Sequence, residues 1–118
     1  MLSGDVNFKV IGKMLDGCAA RHKVIAGNLA NVETPGYRRL EVRFEDQLAK
    51  AIGDDAGAAE LDAVQPETVA GQGVTRPDGN NVDFGTELGD MTKNSLVFET
   101  FAELAAARVR AYREAIGE

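Results

Sequence analysis

Two long stretches of this chain carry apolar residues in a helical rhythm, and a polar, glycine-rich stretch separates them. In the first, Ile11, Leu15, Cys18, His22, Ile25, Leu29 and Val32 follow at intervals of 4, 3, 4, 3, 4 and 3 residues. That alternation is the a/d spacing of a helix packed along a seam that repeats every 3.5 residues. In the second, Phe84, Leu88, Met91, Ser95, Phe98, Ala102, Ala105, Val109, Tyr112 and Ile116 alternate 4 and 3 without a break. Helices over about residues 5–33 and 83–116 follow, roughly 43 Å and 50 Å long at 1.5 Å per residue. Asp83 stands where it can cap the second helix, Glu87 suits the first turns, and Arg108, Arg110 and Arg113 suit the negative end of the helix dipole. The fold class predicted is mainly α: two long terminal helices forming an antiparallel coiled-coil-like hairpin, with a small irregular or short-β middle segment.

The rhythm breaks at Thr34-Pro35-Gly36-Tyr37. Pro35 fixes φ at the second position of a turn and Gly36 supplies the positive φ of a type II turn, so the helix ends and the chain is redirected. Three segments result: residues 1–37, 38–82 and 83–118. Within the middle one, residues 40–52 predict a short strand and then a helical turn. Residues 53–81 contain Gly53, Gly57, Gly71, Gly73, Gly79, Pro66 and Pro77 and read as loop and short strand, with residues 53–63 small, acidic and mobile. Asp78-Gly79-Asn80-Asn81 is a turn signal, because Gly and Asn tolerate positive φ.

The second helix also carries Val97, Phe101 and Leu104 beside its seam, an apolar face too wide for one neighbour. Two isolated helices bury little against the entropy of ordering them, so partners are expected to complete their packing. Charge narrows which partners. The net charge is −6, and residues 51–118 hold five Lys/Arg against thirteen Asp/Glu. An acidic half argues against nucleic acid or an anionic membrane surface, both of which reward positive charge. The basic trio Arg38, Arg39 and Arg43 is interleaved with Glu41, Glu45 and Asp46. No apolar run has the length of a secretory signal or a transmembrane span, and the single cysteine cannot form an intrachain disulfide.

No catalytic or metal constellation emerges. Cys18 and His22 lie one helical turn apart, but no other His or Cys completes a metal site, and both fall on the packing stripe. The loop from Asp78 begins like a calcium loop and then fails, with Val82 and Phe84 at ligand positions and Gly89 where a bidentate Glu belongs. No enzyme activity, cofactor or metal is expected.

The run from Ala26 to Tyr37, A-G-N-L-A-N-V-E-T-P-G-Y, resembles the N-terminal motif of the flagellar axial family of rod and hook proteins, matched at Asn28, Leu29, Ala30, Asn31, Thr34, Pro35, Gly36 and Tyr37. Asp78, Gly79, Asn80, Asn81, Val82 and Asp83, followed by Leu88, Met91 and Lys93-Asn94-Ser95-Leu96, resemble the corresponding region of proximal-rod members. The likeness covers about residues 10–48 and 78–116. It implies a structural subunit whose terminal helices line the wall of a hollow axial drive shaft that transmits torque and conducts exported subunits. It also implies location in the basal-body rod within the periplasmic space and export through the flagellar type III apparatus without a cleaved signal peptide. Implied partners are copies of itself, other rod proteins and the adaptor FliE at the rod base, with no nucleic acid and no direct membrane insertion. Phe44 and Leu48 match the pattern that early export substrates present to the export gate, although an amphipathic turn packed on the rod explains them equally.

Two other classes remain open at this stage. One is a soluble coiled-coil adaptor or export chaperone, stably folded as a small oligomer. The other is a small enzyme, for which no cleft of titratable groups can be nominated.

Overall fold

The computed structural model describes residues 4–53 and 57–117. Helix α1 spans Gly4–Ala30 and helix α4 spans Phe84–Ala115. Between them come strand β1 (Leu40–Arg43), helix α2 (Glu45–Gly53), helix α3 (Ala58–Asp62) and strand β2 (Glu67–Ala70). The molecule is a flattened rod of 61 × 30 × 15 Å. No helix is long and apolar enough to cross a membrane among the described residues.

α1 and α4 run antiparallel. Asn28 meets Glu87 at one end, Asn94 reaches the Cys18 carbonyl in the middle, and the Phe8 and Tyr112 rings lie 6.4 Å apart towards the other end. α4 starts where its sequence says it should. Asp83 is extended (φ −107°, ψ 116°), and its carboxylate accepts from the Thr86 N–H. That satisfies one of the four backbone donors a helix leaves free at its start.

The face of α1 turned away from α4 is covered by the middle segment. Leu48, Ala51, Leu61 and Val64 form a buried cluster against Val6, Val10 and Met14. Lys9 pairs with Asp62 at 2.9 Å, and Lys13 donates to the Asp62 and Val64 carbonyls at the end of α3. The two strands pair antiparallel with Leu40 opposite Ala70 and Arg43 opposite Glu67. The α2–α3 excursion that joins them therefore returns to the same side of α1. Phe44, at the end of β1, lies against the α1 backbone at Gly17. A Cβ on Gly17 would sit 2.3 Å from the ring, so only glycine fits there.

Two expectations need correction. Residues 57–63 are not loose: α3 forms there and Leu61 is fully buried, because Leu61 and Val64 share a face that α1 can cover. Residues 54–56 of that stretch, like 1–3 and 118 of the terminal segments, lie outside the described residues. The seam is also incomplete in the single chain. Ile11, Cys18 and Ile25 are buried, and Leu15, Leu29, Val32, Met91 and Ala102 are half-buried, but His22, Leu88, Phe98, Val109, Tyr112 and Ile116 are exposed. The line of α4 that reaches α1 passes instead through Glu87 and Asn94, both buried. Polar partners on α1 and β1 draw that line inward, and the apolar line beside it is left facing solvent.

Candidate assembly site

The end of the rod where α1 stops and α4 starts is held by side chains rather than by an apolar core. The last turn of a helix leaves carbonyls without intrahelical partners. Here the Asn31 and Val32 N–H groups meet the carbonyls of Gly27, Asn28 and Leu29, and Asn80, fully buried and 46 or more positions along the chain, holds the turn that follows: its Nδ2 lies 2.9 Å from the Asn31 carbonyl, 3.1 Å from that of Val32 and 2.9 Å from that of Thr34. Its Oδ1 accepts from the Val82 N–H at 2.7 Å, which aims the chain into α4. Arg76 bridges the same two strands of chain, donating to the carbonyls of Val32 and Val82.

The turn predicted at Thr34–Tyr37 is present. The Tyr37 N–H donates to the Thr34 carbonyl at 3.2 Å, and Gly36 has φ 75°. Asn31 donates its side-chain amide to the Gly27 carbonyl and accepts from the Thr34 hydroxyl, closing the helix end locally. The Asp78-Gly79 turn docks on this one. The Gly36 N–H donates to the Asp78 carbonyl at 2.8 Å, and a Cβ on Gly79 (φ 87°) would approach the Gly36 Cα to 3.3 Å. Pro35 and Thr34 are exposed on the outside of the bend. The two motif runs, distant in sequence, are thus the two halves of one junction.

Beneath it lies a buried ionic network. Asn28, fully buried, accepts from the Leu40 N–H and the Tyr37 hydroxyl and donates to the Leu40 carbonyl and to Glu87. Glu87 in turn accepts from Arg39 Nε at 2.6 Å. Arg39 also reaches Glu41 and the Gln72 carbonyl, while its own N–H donates to Asn81 Oδ1. Burial alone would lower the Arg39 guanidinium's pKa, but the hydrogen bonds to Glu87 and Glu41 outweigh it and hold the group above its ordinary value. The bond from Arg39 pulls the Glu41 carboxyl below its usual range. Arg21 does the same to Glu45 in a bidentate pair at 2.7 Å, with its guanidinium 4.9 Å from the centre of the Phe44 ring. These arrangements orient elements. None presents a nucleophile beside a base.

Cys18 fits that reading. It is 1% exposed, and burial pushes its thiol up, away from the thiolate that reaction or metal binding requires. His22, one turn on, faces outward instead of packing, on the rim of a groove with Phe98 and Glu99.

No family model matches the chain. It is, however, 32% identical to the flagellar basal body rod protein FlgB of Borrelia hermsii, over 80% of this chain and 83% of that one. The corresponding protein of Aquifex aeolicus is 32% identical over 72% of each chain, and that of Salmonella typhimurium 28% identical over 69% of this chain and 71% of its own. The chain belongs to the FlgB family of flagellar basal body rod proteins.

For a FlgB-family chain the junction accounts for what the motif residues do to the fold, and α4 carries the surface left over. Phe84, Leu88, Leu96, Phe98, Leu104, Val109, Tyr112 and Ile116 are all exposed, with Leu96 at 60% and Ile116 at 71%. These side chains are spread along α4 and around more than one side of it, and apolar exposure of that extent marks an interaction surface. Phe44 and Leu48, by contrast, are core residues at 2% and 4% exposure, so a folded chain cannot present them. Sequence reasoning missed Arg39 and Glu87 as a pair, along with Arg76, and named Asn94 only within a motif run without its contact to α1. The available signal was their position: each adjoins or falls within a motif run, and Glu87 lies on the α1 side of the first turn of α4.

Proposed function

We propose that the chain is a structural subunit of the proximal rod of the flagellar basal body, assembling through α1 and α4 into the wall of the hollow axial shaft. The observation that carries this reading is the apolar surface that α4 exposes on a chain of this family. One antiparallel neighbour, α1, leaves that surface uncovered, so neighbouring subunits are its natural cover. Residues 1–37 and 83–118 form the wall, and residues 38–82 lie peripherally, folded against the outer face of α1. The subunit contacts its own copies, other rod proteins and FliE at the rod base. It travels through the flagellar type III export apparatus unfolded and without a cleaved signal peptide, the state in which Phe44 and Leu48 are available to the export gate.

The test is complementation. A tagged copy expressed in a bacterium lacking its own FlgB should appear in purified basal bodies and restore swimming. The Leu104→Glu, Val109→Glu double variant should keep the helical content of the free chain, since both side chains are already exposed, yet be missing from basal bodies. Swimming restored equally by that variant would overturn the proposal.

A further inference from the structure

Two glycines that the fold depends on each follow an aspartate: Gly17, where the Phe44 ring lies against the α1 backbone, and Gly79, at φ 87° beside Gly36. No other Asp-Gly step occurs in the sequence. Such a step carries a reaction of its own. The glycine amide nitrogen attacks Cγ of the neutral aspartic acid, the C–OH bond breaks, and water leaves with the amide proton, closing a succinimide ring. Water then adds to either ring carbonyl. Opening on the side-chain side restores aspartate, whereas opening on the backbone side yields isoaspartate, in which the main chain runs through Cβ and Cγ and is longer by a carbon. Glycine favours ring closure because it has no Cβ to shield its nitrogen and turns freely about φ and ψ.

The two steps are held differently. Asp16-Gly17 lies in the middle of α1, where helical hydrogen bonds would have to break before the ring could close. Asp78-Gly79 lies in a turn between elements, with the Asp78 side chain 37% exposed, and it is the junction that restrains the reacting atoms. The Gly79 N–H donates to the Arg76 carbonyl at 2.9 Å. Asp78 Oδ1 accepts from the Asn80 N–H at 3.0 Å, and Oδ2 lies 3.6 Å from the Arg76 guanidinium. The Asp78 carbonyl accepts from the Gly36 N–H at 2.8 Å. With nitrogen and carboxylate both engaged, ring closure requires the turn to open. We propose that Asp78 is a modification site gated by this junction: it passes to isoaspartate while the junction is open and is preserved while the junction is closed. The product cannot close the junction again. The carbon added before Gly79 shifts Asn80 away from the three carbonyls it holds and removes the Asp78 peptide carbonyl that Gly36 meets. Time spent unfolded therefore becomes a permanent loss of the junction, whatever assembly the chain serves.

Ageing the full chain for several weeks at neutral pH, in native buffer and in urea, tests the gating. Isoaspartate is quantified with an isoaspartyl methyltransferase and a labelled methyl donor, and located by electron-transfer fragmentation of the digest. In urea it should accumulate at both Asp78 and Asp16, and in native buffer at neither. Asn80→Ala loosens the junction alone, so in native buffer it should raise the rate at Asp78 on the order of tenfold and leave Asp16 as it was. A rise at both positions would mean that this variant had unfolded, and the contrast between native buffer and urea in the unaltered chain then decides. Equal rates at Asp78 in native buffer and in urea, no isoaspartate at Asp78 in urea, or an Asn80→Ala chain that keeps both positions intact would overturn the proposal. Limited trypsin digestion of the urea-aged chain after return to native buffer reads the consequence. The resistant fraction should be depleted of isoaspartate at residue 78, and equal amounts in the resistant and cleaved fractions would show that the modified junction still closes.

Discussion

Asn80 shows how much one side chain can hold. It has no exposure, uses its amide on three carbonyls of the turn that follows α1 and its oxygen on the N–H that leads into α4. Alanine there orphans buried groups on both elements, and each net hydrogen bond of this kind contributes about 1 kcal/mol. Asn80→Ala should therefore lower the unfolding free energy by about 2–4 kcal/mol in urea titration, with Asp, which retains an acceptor but no donor, recovering little. Gly36 is a different case. A Cβ there meets nothing within 4 Å, so the cost of Gly36→Val is the backbone at φ 75° and not a clash. A left-handed conformation costs an ordinary residue about 1–2 kcal/mol, and a β-branched one sits at the upper end. An unfolded chain does not feel that cost, so Gly36→Val should still be exported while its level in basal bodies falls. Rod assembly at the normal level by this variant would sink the argument from the turn.

At the scale of elements, the Arg39–Glu87 pair joins the first turn of α4 to the residue that leads into β1, and Asn28 ties both to α1. Breaking a buried pair by removing one partner costs about 3–5 kcal/mol, because the other charge stays buried, whereas replacing both by apolar groups is often neutral. Glu87→Leu alone should therefore destabilise strongly, and the Arg39→Met, Glu87→Leu double variant should regain most of the loss in thermal unfolding. A double variant as unstable as the single would mean that the pair's wider bonds, to Gln72 and Glu41, dominate. The elements themselves were legible to different degrees. The long 4–3 alternation and the Asp83 cap are local signals, and both terminal helices form within three residues of the expected bounds at their described ends. The type II turn was legible because Pro35 and Gly36 admit few other conformations. α3 was not, since five residues rich in Ala carry no period, and its order comes from Leu61 packing on α1 from far away in sequence. The side of α4 that faces α1 was not legible either. The spacing selects Leu88 and Ser95, while partners visible only in three dimensions select Glu87 and Asn94.

For the whole molecule, the separation of labour is plain in the burial pattern. Polar residues at the junction register the two long helices, the middle segment covers one face of α1, and many of the apolar side chains of α4 remain outside. A chain built to stand alone would cover more of the α4 side chains such as Leu96, Leu104 and Val109, which face several directions and would need more than one neighbour. In the rod, neighbouring subunits are expected to cover the apolar side chains of α4, and thiol accessibility reads that cover directly. With Leu104→Cys in a Cys18→Ala background, maleimide should label the free chain at once and fail to label the same residue in purified basal bodies. Equal labelling in both would contradict that cover, because the surface at Leu104 would then be as open in the rod as it is in the single chain.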